Sequence, residues 1–186
     1  MKQARFVVLK LSLVMAVLCI SPLYGTDARS EPININLIID GSDSLASVKE
    51  DMTTWITSRL DNILVDGDRV TIWSAGPAAR VIYSGSMNNQ NDREAAKRSI
   101  RELSGSGQSS DFSGALSQAA AQQTSGFCYT LLICASPAML STILSGPQAN
   151  LLRFSMIENF SGWRAIVVGL NLDTRVRNAA SAFMGS

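Results

Sequence analysis

A short apolar run that ends in an acid and leads straight into a helical repeat restricts this fold more than any other feature. Asn34 to Asp40 reads NINLIID, the pattern of a strand in a buried parallel sheet. Asp40-Gly41-Ser42-Asp43-Ser44 follows without a break. Leu45, Val48, Met52, Trp55, Ile56, Leu60 and Ile63 then recur at helical spacing, which predicts an amphipathic helix over Leu45 to Leu64. Strand, short loop and helix in that order form the opening unit of an α/β protein.

The alternation continues. Asp66-Gly67 signals a turn, and Arg69 to Ser74 (RVTIWS) reads as a second strand. Gly76-Pro77 breaks it, and Ala79 to Tyr83 (ARVIY) reads as a third, suited to an antiparallel edge. Asp92 to Leu103 is a charged amphipathic helix, Ser104 to Ser110 a Ser/Gly-rich loop, and Phe112 to Gln123 an Ala-rich helix. Tyr129 to Ala135 (YTLLICA) is another buried strand, and Pro137 to Glu158 reads as helical with a break at Gly146-Pro147. Arg164 to Leu170 (RAIVVGL) is a fifth strand and Thr174 to Met184 a last helix. The expected fold is a Rossmann-like three-layer α/β sandwich. Its sheet is mostly parallel, of about five strands with one antiparallel edge strand, and carries helices on both faces. With 186 residues, 46% hydrophobic and 17% charged, the chain has the material for one folded core. No repeat or linker divides residues 29–186, which are expected to form a single domain.

Residues 1–28 differ. Lys2, Arg5 and Lys10 charge the start, Leu11 to Ile20 is almost wholly apolar, and small or polar residues follow. That is the order of a secretory signal peptide, with cleavage expected after Gly25 or Ala28. Extending the apolar stretch back through Phe6 to Leu9 leaves an uncleaved anchor as the alternative. The expected destination is periplasmic or extracellular. Cys19 lies in the apolar segment behind Ala16-Val17-Leu18, a poor lipoprotein signal. Export would permit a disulfide, but Cys128 and Cys134 lie at the ends of one apolar run. Six residues of extended strand span roughly 20 Å, beyond disulfide reach, so both read as buried thiols. A bond remains open only if the strand starts after Cys128 and the chain folds back.

Composition also removes function classes. There is no histidine, hence no Ser-His-Asp triad and no His-ligated zinc or haem. With 16 basic and 15 acidic residues, scattered, nothing marks a nucleic-acid surface.

In open α/β sheets, ligands bind at the carboxyl ends of strands. Asp40, Ser42 and Ser44 stand there at alternating positions, and a carboxylate with two hydroxyls can turn its oxygens toward one point. Hard oxygen donors of this kind suit Mg²⁺, Mn²⁺ or Ca²⁺. DGSDS resembles the DxSxS signature of von Willebrand factor A domains, and the resemblance extends over most of residues 29–186. Asp66 to Val70 (DGDRV) is similar to that family's approach to its second strand. Gly107 to Leu116 (GQSSDFSGAL) is similar to its second metal loop, with Ser110 in the place of a threonine and Asp111 after it. The resemblance implies a metal-ion-dependent adhesion site of Asp40, Ser42, Ser44, Ser110 and Asp111. It also implies a non-catalytic role, with the ion taking up an acidic side chain of a protein partner. Two departures matter. The family usually ends its fourth strand in Thr-Asp-Gly, where this chain has Cys134-Ala135-Ser136, so a carboxylate is missing and the ion is in doubt. The family also commonly adds a sixth strand, leaving this sheet one short or completed by a partner.

The competing readings are plain. Ser42, Asp43 or Ser44 could simply cap the following helix. A metal-free structural subunit, binding through helices or a free sheet edge, is the alternative function. Ser104 to Ser110 lacks the spacing and the lysine of a phosphate loop. An aspartyl nucleophile at Asp40 lacks a second carboxylate two residues on, since Asp43 falls three on. Trp55 and Trp73 read as core.

Overall fold

The computed structural model describes residues 32–122 and 128–135 and, as strands, Arg153–Asn159 and Arg164–Leu170. The expected leader, most of the helical region after Pro137 and the last helix lie outside the described residues.

β1 (Asn34–Asp40) runs between β2 (Arg69–Ala75) and β4 (Cys128–Cys134), parallel to both. β3 (Ala79–Ser86) pairs antiparallel with β2 at one edge of the sheet, as the Gly76-Pro77 break implies. Beyond β4 the sheet departs from expectation. Arg153 to Glu158, read as the end of a helical region, belongs instead to a strand, β5 (Arg153–Asn159). β6 (Arg164–Leu170) is antiparallel to both β4 and β5, giving the order β3-β2-β1-β4-β6-β5. The described sheet is therefore mixed and six-stranded, not mostly parallel and five-stranded, and its sixth strand comes from the chain itself. The reason is local. Only residues 160–163 separate β5 from β6, whereas a parallel crossover needs a dozen or more. Phe154-Ser155-Met156 also carries a period of two that a helical reading passes over.

Successive side chains of β1 point to opposite faces, and Leu37, Ile38 and Ile39 are all fully buried. Ile35, Leu37 and Ile39 pack with Met52, Ile56 and Leu60 of α1 (Lys49–Ile63) and with Ala96 and Ile100 of α2 (Gln90–Arg101). Ile38 packs with Trp73, Leu132 and Phe112, Ala115, Leu116 and Ala119 of α3 (Phe112–Ala121). Each fully buried Leu, Ile or Met side chain among these contributes about 1.5–3 kcal/mol. Cys128 and Cys134 are free and buried at the two ends of β4.

The amino end of β1 is set by one side chain. Asp68, wholly buried, accepts hydrogen bonds from the Ile33 N–H at 3.0 Å and the Val65 N–H at 2.9 Å. Arg69 N–H donates to the Ile33 carbonyl at 3.0 Å. This holds Asn34 opposite Arg69, so Asp40 finishes opposite Ala75. The base of the sheet thereby fixes the height of the site at its top.

Candidate cation site at the carboxyl ends of the strands

Three loops meet where β1, β2 and β4 end. Gly41 N–H donates to the Ala75 carbonyl at 2.9 Å, Ser106 N–H to Gly41 at 2.8 Å, and Asp43 N–H to Gly107 at 2.8 Å. Asp111 N–H donates to Gly76 at 2.8 Å. The Ser/Gly-rich segment is thus stitched by its backbone to the loop after β1. Gly105 makes that approach feasible, because a Cβ there would sit 2.9 Å from the Ser42 carbonyl carbon.

Asp40 is fully buried at the centre of this junction. Its Oδ1 accepts from the Ser42 N–H at 2.9 Å and from the Ser110 hydroxyl at 2.5 Å. Its Oδ2 accepts from the Ala135 N–H at 3.1 Å. Donors from three separated segments therefore hold one carboxylate, and a charge-assisted bond of this type is about twice as strong as a neutral one. Ser42 and Ser110 are brought together on Asp40.

Ser42 behaves differently from a helix cap. It occupies the cap position of the 3₁₀ turn Asp43–Ser47, yet its side chain makes no capping bond. The residue is fully buried and its hydroxyl has no hydrogen-bond partner among the described residues. An unpaired buried hydroxyl costs about 1–3 kcal/mol, which asks for a compensating role. Its own N–H is bonded to Asp40 Oδ1 at 2.9 Å, which places the Ser42 backbone against the carboxylate.

The other expected ligands are placed less centrally. Ser44 is exposed on the 3₁₀ turn, where its carbonyl accepts from the Ser47 hydroxyl at 3.0 Å. Asp43 is exposed as well. Asp111 caps α3: Oδ1 accepts from Gly114 N–H at 2.8 Å and Oδ2 from Ala79 N–H at 3.4 Å. Gly114 allows this, since a Cβ there would meet the Asp111 carboxyl carbon at 2.6 Å. Asp111 organises the loop, with both oxygens turned to backbone donors. Ala135 is buried and offers an N–H where a carboxylate could have stood. Beside it, burial and the Asp40 carboxylate push the Cys134 thiol up to about 12. Among the described residues no three His, Cys, Asp or Glu side chains gather as a metal cluster. Any ion here would rest on one carboxylate and neutral oxygens. The unpaired Ser42 hydroxyl, the Asp40 carboxylate and the Ser110 oxygen fit such a hard-cation donor set; Asp111 as oriented does not join it.

Sequence reasoning did not find two parts of this arrangement. The Ala135 N–H has no side-chain signature at all, and Gly105 reads as ordinary loop composition. The Gly-Ser pairing in the loop is the one hint that backbone comes close there.

No protein-family model and no curated protein matches the chain. Among solved structures it is similar to a von Willebrand factor type A protein from Catenulispora acidiphila, 25% identical, with a TM-score of 0.40, over 48% of this chain and 22% of that one. It is also similar to the vWF domain of the type V pili tip protein Mfa5 from Porphyromonas gingivalis, at 18% identity, TM-score 0.42, over 55% and 37% of the two chains. PilB minor pilin from Streptococcus sanguinis aligns over 85% of this chain and 47% of its own, at 14% identity and TM-score 0.43. The chain spans less than half the length of each. Von Willebrand factor A structures are thus among those it is similar to, at scores too low to bear on function, which is read from the geometry of the site alone.

Proposed function

We propose that the protein is an exported, non-catalytic binding module that docks an acidic group of a protein partner at the top of its sheet. The docking point is a divalent cation held by Asp40, Ser42 and Ser110, with Ser44 on the exposed side. The observation that carries this reading is the buried Ser42 hydroxyl, without a partner among the described residues, on the residue whose N–H is bonded to the Asp40 carboxylate. When bound, the ion supplies an electrophilic position open to a carboxylate from outside. The residues do the rest. Asp40 supplies the negative charge, and Ser110 donates a hydrogen bond to Asp40 Oδ1 while its own oxygen lone pairs stay free. Asp111, tied to Gly114 and Ala79, holds the second loop in place. The basic, apolar and small-residue order of residues 1–28 supports export. Asp40 is enclosed by donors from its own chain, which disfavours it as a nucleophile or base.

A second reading has its own observation. Three donors already satisfy Asp40 from within, and Ala135 leaves out a carboxylate, which favours a metal-free structural subunit binding elsewhere. Calorimetry of the purified protein with Mg²⁺, Mn²⁺ and Ca²⁺, repeated on Ser42→Ala, separates the two. Binding heat lost in the variant supports the cation site. Absence of heat with every ion leaves the structural subunit.

A further inference from the structure

The three central strands begin polar on one face of the sheet. In register, Asn34 of β1 stands beside Arg69 of β2 and Cys128 of β4, and Asn36 beside Thr71 and Thr130. The next row, Ile38 with Trp73 and Leu132, is apolar and packs on α3. Residues two apart on a strand share a face, so all three rows stand on the α3 side. Strands buried in a parallel sheet are apolar almost throughout, yet Asn36, Thr71 and Thr130 are polar and only 8% exposed.

α3 ends at Ala121. A cavity of about 320 Å³ opens over the polar rows, lined by Asn34, Asn36, Arg69 and Thr71 from the sheet and by Ala119 and Gln122 from the end of α3. Small-molecule sites span about 300–1,000 Å³, so this one suits a ligand at the small end. Two of its polar groups are fixed in advance. Asn36 Nδ2 donates to Cys128 Sγ at 3.1 Å while its Oδ1 accepts from the Trp73 indole at 3.4 Å. The Thr71 and Ser84 hydroxyls are bonded at 3.3 Å. Among the described residues no Asp or Glu lines the cavity, and Arg69, which is exposed, makes no ion pair. The lining therefore carries one positive charge and several amide and hydroxyl groups.

We infer that this cavity binds a small monocarboxylate with a hydroxyl or ammonium group on the neighbouring carbon. The Arg69 guanidinium takes the carboxylate as a charge-assisted, two-pronged pair. Asn36 and Thr71 offer a fixed amide and hydroxyl, and Asn34 and Gln122 offer amides that both donate and accept. The carbonyl end of a helix carries partial negative charge. The end of α3 thus disfavours a dianion such as phosphate and suits a donor beside the carboxylate. Asp40 lies at the other end of β1, so this site stands apart from the cation site.

The test follows the amide shifts of the ¹⁵N-labelled full chain in a non-ionic detergent, with no divalent ion added. L-Lactate and L-alanine are titrated at ionic strength matched with chloride, alongside lactamide, which lacks the charge, and inorganic phosphate. Lactate or alanine should shift Asn34, Arg69, Thr71 and Cys128 together and saturate with a Kd of about 1 mM or tighter. Arg69→Gln should weaken that binding by about tenfold or more, as the loss of a hydrogen-bonded charge does. Arg80→Gln, at an exposed position of β3 that does not line the cavity, should leave it unchanged. No shift at these residues with either carboxylate overturns the inference, as does lactamide or phosphate binding as tightly as lactate. Binding that survives Arg69→Gln, or that falls equally in both variants, also overturns it. The lactamide comparison decides without any variant, so a failure of Arg69→Gln to fold leaves the test intact. None of these outcomes bears on cation binding at Asp40.

Discussion

Asp40 and Ala135, at the ends of neighbouring strands and 95 residues apart in the chain, meet through one hydrogen bond of 3.1 Å from backbone nitrogen to Oδ2. It fastens β4 to the end of β1 and leaves the carboxylate with a neutral partner, not a second charge. The site is thereby held in shape while remaining short of negative charge.

Asp40→Asn tests the structural half of that relationship. An amide offers one acceptor oxygen where the carboxylate offers two, so either Ala135 N–H or the Ser42 and Ser110 donors face an NH₂ group. Losing charge-assisted bonds at a buried position should cost about 2–3 kcal/mol. Urea unfolding checks this, and a loss below about 0.5 kcal/mol would show that these bonds do not matter to the fold.

Ser42→Ala should act the opposite way. Removing a buried hydroxyl that has no partner should leave stability unchanged or raise it by about 1 kcal/mol. The same variant should lose any rise in melting temperature that Mg²⁺ or Mn²⁺ confers on the native protein. A stability drop of about 2 kcal/mol would instead show the hydroxyl to be structural.

Gly105→Ala should push the Ser/Gly-rich loop off the first loop, because the added carbon meets the backbone of Ser42 and Asp43, at 2.9 Å and 3.1 Å for the two nearest carbons outside the Ser42 oxygen. The expected cost is about 1–3 kcal/mol. Hydrogen exchange should rise at Ser106 and Asp43, whose N–H groups bridge the loops. Unchanged exchange there would show that the two loops do not depend on their close approach.

Alkaline pH gives a further check. Burial and then the Asp40 carboxylate raise the Cys134 thiol from 9.0 to about 12, so the folded state holds that proton more tightly than the unfolded chain. The stability involved is fully present below pH 9 and should be lost as pH rises toward about 12. At Lys97, burial acts to lower the ammonium, but the hydrogen bonds and charges of Asp61 and Glu94 outweigh it and leave it raised. That contribution too is lost only on the alkaline side. Cys134→Ala should flatten the fall in unfolding free energy between pH 9 and about 11, measured by denaturant titration. An equally steep fall in the variant would assign it to other groups.

Much of the first half of the fold can be read from residues because its signals are local. NINLIID is apolar over most of its length, α1 carries a helical repeat, and Gly76-Pro77 forces a hairpin, so β1, α1, β2 and β3 follow from neighbours in sequence. β6 is legible as the apolar run Arg164 to Leu170, but its antiparallel direction and the whole of β5 are not, because they depend on pairing across the sheet, and only the short 160–163 connection hints at a hairpin. At the site, Asp40, Ser42 and Ser110 carry side-chain chemistry that can be recognised. Ser44 and Asp111 share that chemistry, yet the structure places them respectively on an exposed turn and over a helix start, a matter of rotamer and loop path that composition does not encode. The Ala135 contribution is a backbone N–H, which every residue but proline has.

The decisive measurement is the anomalous scattering of a crystal grown with Mn²⁺. A peak is expected beside the Ser42 hydroxyl oxygen, with Asp40 and Ser110 facing it. A crystal that holds Mn²⁺ only elsewhere, with Ser110 and Ala135 still bonded to Asp40, would contradict the cation site.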